Sequence, residues 1–271
     1  MSSSPKQLFG QLSQPGAHRV LRGDLGLVGL PGLVFTPESG LGLPAVAFGH
    51  GFLQPARRYS GLLRHLASWG IVAAAPNTQR GPLPSHRLFA ADLHTTLDIC
   101  TGVRLGDGEI SVDRKKLGLA GHGFGGGAAV LAAAEDERVR AVAGVAPAES
   151  LPSAVPAAAR CAMPGLLLAG EADRMAPLAG HARPIARAWQ GQVQLRVVGK
   201  ASHLGFAEGR HLSELLLDGK AQRRSQRVAK ALLTAFFLKQ LTGSGDYDEL
   251  LDSDVKAAAI EELGEHQRVA A

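Results

Sequence analysis

The chain has 271 residues, of which 45% are hydrophobic, 34 are glycine and only 5% are aromatic, a composition that can bury a full core and does not fit a disordered chain. The net charge of +5 invites a nucleic-acid reading. Its basic residues are scattered, however, and no stacking aromatics interleave with the densest cluster, Arg223, Arg224, Arg227 and Lys230, so nucleic acid is not an expected partner.

In chain order, residues 1–16 are polar, with Ser2, Ser3, Ser4, Pro5 and Lys6 and no apolar stretch suited to a signal peptide. They read as a flexible N-terminal segment, and the protein as cytoplasmic. No apolar run reaches the length of a membrane-spanning helix. Residues 17–242 read as one domain in which strands alternate with helices, the pattern of a mostly parallel sheet. Strand-like runs fall at 26–35, 45–48, 71–75, 117–120, 139–145, 165–169 and 193–198, and helical periodicity at 57–68, 86–101, 125–134, 178–188 and 222–241. Cys100 and Cys161 lack disulfide or ligand spacing and read as buried, reduced thiols. After Gly243, Ser244 and Gly245 the composition turns acidic, with eight acidic residues from Asp246 onward against Lys256 and Arg268. This tail, 243–271, reads either as amphipathic turns packed on the body or as a frayed segment, and it is the candidate docking site for a protein partner. Neither an internal repeat nor a second domain is evident.

The run at 117–130, LGLAGHGFGGGAAV, combines a short apolar strand, the turn Gly121-His122-Gly123-Phe124-Gly125 and a small-residue helix. This is the strand-turn-helix setting of the nucleophile elbow Gly-x-Ser-x-Gly, with glycine at its centre. A glycine-rich turn after a strand also suits phosphate binding, but no Gly-Lys-Ser/Thr ending and no Gly-x-Gly-x-x-Gly fingerprint is present. The residues downstream decide between these readings. Run 166–177, LLLAGEADRMAP, places Asp173 after a buried strand, and 195–206, LRVVGKASHLGF, places His203 after another. Elbow, acid, histidine is the triad order of α/β hydrolases.

On these residues the sequence resembles, from about residue 34 to 241, the α/β-hydrolase branch that contains polyester hydrolases, cutinase-like esterases, chlorophyllase-like proteins and dienelactone hydrolases. Four segments match in order: Phe48-Gly49-His50-Gly51-Phe52, the elbow, Glu171-Ala172-Asp173-Arg174-Met175-Ala176-Pro177, and Ala201-Ser202-His203. The resemblance implies an α/β-hydrolase fold with helices on both faces of the sheet, no cofactor, and a small, apolar ester-like ligand. It also implies an oxyanion hole from the backbone N–H groups of Phe52 and Phe124, a general base at His203 and its orienting acid at Asp173. The nucleophile position falls on Gly123, which has no side chain to acylate. Ala148, in Val145-Ala146-Pro147-Ala148, is a second departure, because polyester hydrolases carry a substrate-stacking aromatic after the proline.

Each candidate has a plainer reading. Glu171 competes with Asp173 as the acid but suits a capping or salt-bridging role. His50 and His122, with Gly51 and Ala148, are expected around the pocket, the two histidines as structural hydrogen-bonding groups; a metal held by His50, His122 and His203 is conceivable but lacks ligand spacing, so no metal is expected. Ser202 is adjacent to His203 and is expected to point away from it. Three functions stay open: an esterase scaffold without its nucleophile, a ligand-binding or partner-docking pseudohydrolase, and a non-covalent hydrolase or lyase working through the His203–Asp173 pair.

Overall fold

The computed structural model describes residues 4–215 and 217–263. Expectations that fall on residues 1–3 and 264–271, including the far end of the acidic tail with Glu265 and Arg268, lie outside the described residues.

The elements run α1 (Pro5–Leu12), β1 (Val20–Asp24), β2 (Gly32–Pro37), β3 (Gly40–Gly49), α2 (Ser60–Ser68), β4 (Val72–Pro76), α3 (His86–Gly102), β5 (Ile110–His122), α4 (Phe124–Ala133) and β6 (Val139–Val145). They continue with α5 (Ala154–Ala158), β7 (Gly165–Gly170), α6 (Ala182–Ala188), β8 (Val193–Val198), α7 (Arg223–Thr242), α8 (Asp248–Asp252) and β9 (Ala258–Ile260). One nine-stranded sheet forms in the order β1-β2-β4-β3-β5-β6-β7-β8-β9. The strands from β4 to β8 in this order are parallel, and β1, β2 and β9 pair antiparallel at the two margins.

Both faces of the sheet are covered, which explains strands that read as continuous apolar runs rather than as alternations. In β3 and β4, Ala45, Ala47, Val72 and Ala74 face a core built with α3, α4, α5 and α6. Their neighbours Val46, Phe48, Ala73 and Ala75 face the second core, with α1, α2, α7 and α8. Period-two alternation thus serves two cores at once.

Three regions are the most informative when set against the expectation drawn from sequence. The single strand expected at 26–35 is a 3-10 turn at Leu25–Val28, capped by Asp24 and ended by Gly29 at φ 90°, followed by β2. The chain here must reverse between β1 and β2, and left-handed Gly29 makes that turn. Residues 5–12, expected within a flexible segment, form α1, whose Ser4 and Gln7 complete a capping box and whose Leu8 and Leu12 are buried. Of the two readings of the acidic segment after Gly243, the packed one is found up to residue 263: α8 buries Leu250 and Leu251, and an unexpected strand, β9, adds to the sheet edge beside β8.

That last addition depends on Arg196, a fully buried guanidinium in β8. Its Nη1 donates to the carbonyls of Ser253 and Ala258, its Nη2 to those of Leu250 and Leu251, and its Nε to Gln194 Oε1 at 2.7 Å. The carbonyls at the end of α8 have no intrahelical donors, and the planar fork of one arginine satisfies several of them together. Burial lowers the Arg196 pKa to about 10, so it stays charged at neutral pH.

Candidate active site

The elbow is assembled where β5 ends and α4 begins. Gly123 caps α4 with φ 51° and ψ −114°, a conformation that L side chains rarely adopt. Its N–H donates to the Val145 carbonyl at 2.9 Å, and its own carbonyl accepts from Gly126, Gly127 and Ala148. Helix α4, FGGGAAVLAA, is a poor helix by propensity, since each interior glycine costs about 1 kcal/mol relative to alanine. It persists because all ten residues are buried and their smallness lets the helix lie against the strands.

The glycines of the elbow fall into two kinds. A methyl group on Gly121 would land on the Gly125 carbonyl, and one on Gly125 on the Gly49 carbonyl; backbone meets backbone, with nothing able to yield. A methyl on Gly123 would meet only the His203 imidazole, 2.6 Å from Nε2 and 2.9 Å from Cε1. Side-chain space at 123 is therefore limited by a ring that can rotate.

His203 opens a 3-10 turn after β8 and is 4% exposed. Its Nδ1 donates to Asp173 Oδ2 at 2.8 Å, while Asp173 Oδ1 accepts the N–H groups of Met175 (2.9 Å) and Ala176 (2.8 Å). Burial alone would raise the pKa of Asp173. The bond from His203 and the two backbone donors outweigh burial and hold the carboxyl below its ordinary value. Glu171 is engaged elsewhere, accepting the Lys200 N–H at 2.8 Å. Ser202 Oγ lies against Gly219.

A turn from Gly51 to Gln54, closed by the Gln54 N–H on the Gly51 carbonyl, carries Phe52 and holds Leu53 at φ 55°. Phe124, whose N–H is the first in α4, stacks on Phe89 at 5.3 Å and meets the His86 ring at a tilt, 4.2 Å between centroids. Burial of His86 lowers its pKa to about 4. Ala148 is half-buried and faces the elbow through its bond to the Gly123 carbonyl. His181, not singled out in the sequence, accepts the Glu149 N–H on Nδ1 and lies close enough to Asp173 and His203 to feel their charges.

Underneath, one hydrogen-bond chain ties these loops together. Gly51 N–H donates to Tyr59 Oη at 3.0 Å, and Tyr59 Oη–H donates to His122 Nδ1 at 2.7 Å. His122 Nε2–H then donates to the His203 carbonyl at 2.9 Å. Each donor and acceptor is used once, which requires a neutral His122; its burial, with the nearby His203, lowers its pKa to about 3. His50 is buried in a similar way, with its ring nitrogens against the Thr78 and Gly51 carbonyls. Neither histidine reaches the surface. Tyr59 escaped the sequence reading because no motif marks it; the only hint is chemical, since a buried tyrosine hydroxyl needs a partner.

Among the described residues no group of three or more His, Cys, Asp or Glu side chains is arranged to hold a metal ion, and no helix is long and apolar enough to cross a membrane. No curated protein matches the chain. Residues 29–211 match the family described as "PETase: PET hydrolase-like", a stretch that takes in the Phe52 turn, the elbow, Asp173 and His203. With that match over more than half its length, and with the helix-flanked, largely parallel sheet that such proteins share, the chain belongs to the PET hydrolase-like family and is built on an α/β-hydrolase esterase scaffold.

Proposed function

We propose that this protein is a carboxylic-ester-binding α/β hydrolase in which Gly123 stands at the nucleophile position, so that no acyl-serine forms. The observation that carries this reading is the imidazole of His203, backed by Asp173, with Nε2 2.6 Å from where residue 123 would carry its β-carbon. A base aimed at the elbow centre is the relation a serine esterase needs. The N–H groups of Phe52 and Phe124 would receive the developing oxyanion, a contribution of about 10²–10³ in kcat for one such donor. Asp173 would fix the His203 tautomer by taking the Nδ1 proton.

The expected ligands are uncharged esters of modest apolar bulk. Ala148 gives no aromatic surface for stacking, which argues against an aromatic polyester as the substrate of this member. Binding and the oxyanion donors alone still leave weak hydrolysis, roughly 10³–10⁴ over water in a scaffold lacking a triad member. The test is the Gly123→Ser variant on short p-nitrophenyl esters. A gain in kcat/KM of about 10³ or more over the unmodified protein supports the reading; a folded variant with no gain contradicts it.

A further inference from the structure

We infer that His203 itself is an acyl-accepting nucleophile, giving the unmodified protein a slow acyl-transfer activity toward esters with good leaving groups, such as aryl esters and thioesters. This rests on the preceding reading of the pocket but adds a covalent step to it. In the tautomer that donates Nδ1–H to Asp173, the lone pair of the ring lies on Nε2. Among the described residues no hydrogen-bond donor reaches Nε2. The ring edge fills the space in which residue 123 would carry a reacting atom, so that the nitrogen, rather than an oxygen, is presented at the elbow. The backbone behind it is fixed, because the His203 carbonyl is held by His122 Nε2–H.

The steps balance without any co-reactant except water. The Nε2 lone pair attacks the ester carbonyl carbon, and the C=O π pair moves onto oxygen, facing the Phe52 and Phe124 N–H groups. Collapse of this adduct breaks the bond to the leaving group, which departs with its electron pair as phenolate or thiolate. The product is an N-acylimidazolium whose Nδ1–H still donates to Asp173, and the carboxylate offsets its positive charge. Water then adds to the acyl carbon and loses a proton to solvent, and the imidazole leaves with its pair on Nε2, releasing the acid. Because His203 is consumed as nucleophile, it cannot protonate the leaving group. Simple alkyl esters are therefore excluded, a restriction that a histidine free to protonate the leaving group would not impose.

The test uses the unmodified 271-residue chain with excess p-nitrophenyl acetate, followed by rapid acid quench and peptide mass spectrometry. The expected result is a burst of about one p-nitrophenolate per protein chain, an acetyl group on His203, and faster turnover with acetohydroxamate formation when hydroxylamine is added. His203→Ala should reduce the burst about tenfold or more, as should Gly123→Ala, whose methyl displaces the ring; thermal melting establishes that each variant is folded. Acetylation confined to lysines, or turnover without a burst that responds to His203→Ala, overturns the covalent step. If Gly123→Ser gains esterase activity in that case, the pocket reading survives and only this inference falls; if it gains none, both fall.

Discussion

The elbow and the β8–β9 edge are built by the same physical device, yet only one of them could be read from sequence. In each, a buried polar side chain reaches carbonyls of segments distant in the chain: His122 joins the Tyr59 hydroxyl to the His203 loop, and Arg196 joins β8 to the segment from Leu250 to Ala258. At the elbow the chemistry restricts the residues to small sets at fixed offsets, so a motif survives. At the edge any sequence that turns and offers carbonyls would serve. A neutral hub at the elbow leaves the field of the Asp173–His203 pair undisturbed, whereas the edge holds a full charge, bonded to backbone carbonyls and Gln194 and favoured by the nearby Asp252 and Asp254 carboxylates. The comparison teaches that functional loops advertise themselves, and structural closure does not.

Variants can set the two regions against each other. The largest effect is expected at Gly121→Ala, where the new methyl meets the Gly125 carbonyl and neither backbone can move; a loss above about 4 kcal/mol, or failure to fold, should appear in urea titration. Arg196→Met should follow at about 3 kcal/mol, removing the guanidinium bonds to four carbonyls, of which only that of Leu251 keeps a side-chain donor, Gln194 Nε2, and hydrogen exchange should rise selectively across residues 250–260. A loss spread evenly over the molecule would instead mean that the edge is not a separate unit. Gly123→Ala should cost less, about 1–2 kcal/mol for a non-glycine residue at φ 51° plus rotation of His203, in contrast to its neighbour two residues earlier.

The most gradual effect concerns protons. The folded His122 pKa of about 3 lies below its ordinary 6.5, so the unfolded chain binds a proton that the folded chain refuses. Stability from this group is full above pH 6.5 and is lost as pH falls toward 3, with a slope of up to about 1.4 kcal/mol per pH unit. His122→Gln should flatten the stability curve by one proton in that window, read from urea midpoints at a series of pH values. An unchanged slope would place the titrating group elsewhere, with buried His65, lowered to about 4, as the next to replace.

Much of the architecture was legible because periodicity and glycine placement are local signals. Strands 139–145, 165–169 and 193–198 coincide closely with β6, β7 and β8, and the helix expected at 222–241 is α7 within a residue or two. Position 29 shows the limit: the apolar run at 26–35 satisfies a strand template, but tertiary pairing of β1 with β2 demands a reversal that no propensity announces. In the site, Asp173 and His203 follow strands at offsets that a motif can carry, and the structure brings them to 2.8 Å of one another. Tyr59, His181 and Arg196 were invisible because their roles depend on partners 63, 32 and about 60 residues away, respectively.

The most direct measurement is a structure of Gly123→Ser after reaction with a small organophosphonate. The expected adduct sits on residue 123, with its phosphoryl oxygen about 2.7–3.1 Å from both the Phe52 and Phe124 N–H groups and with the His203 ring rotated back while still bonded to Asp173. A folded variant that is labelled elsewhere, or whose phosphoryl oxygen turns away from those two donors, would contradict the assignment of this elbow as the heart of an esterase pocket.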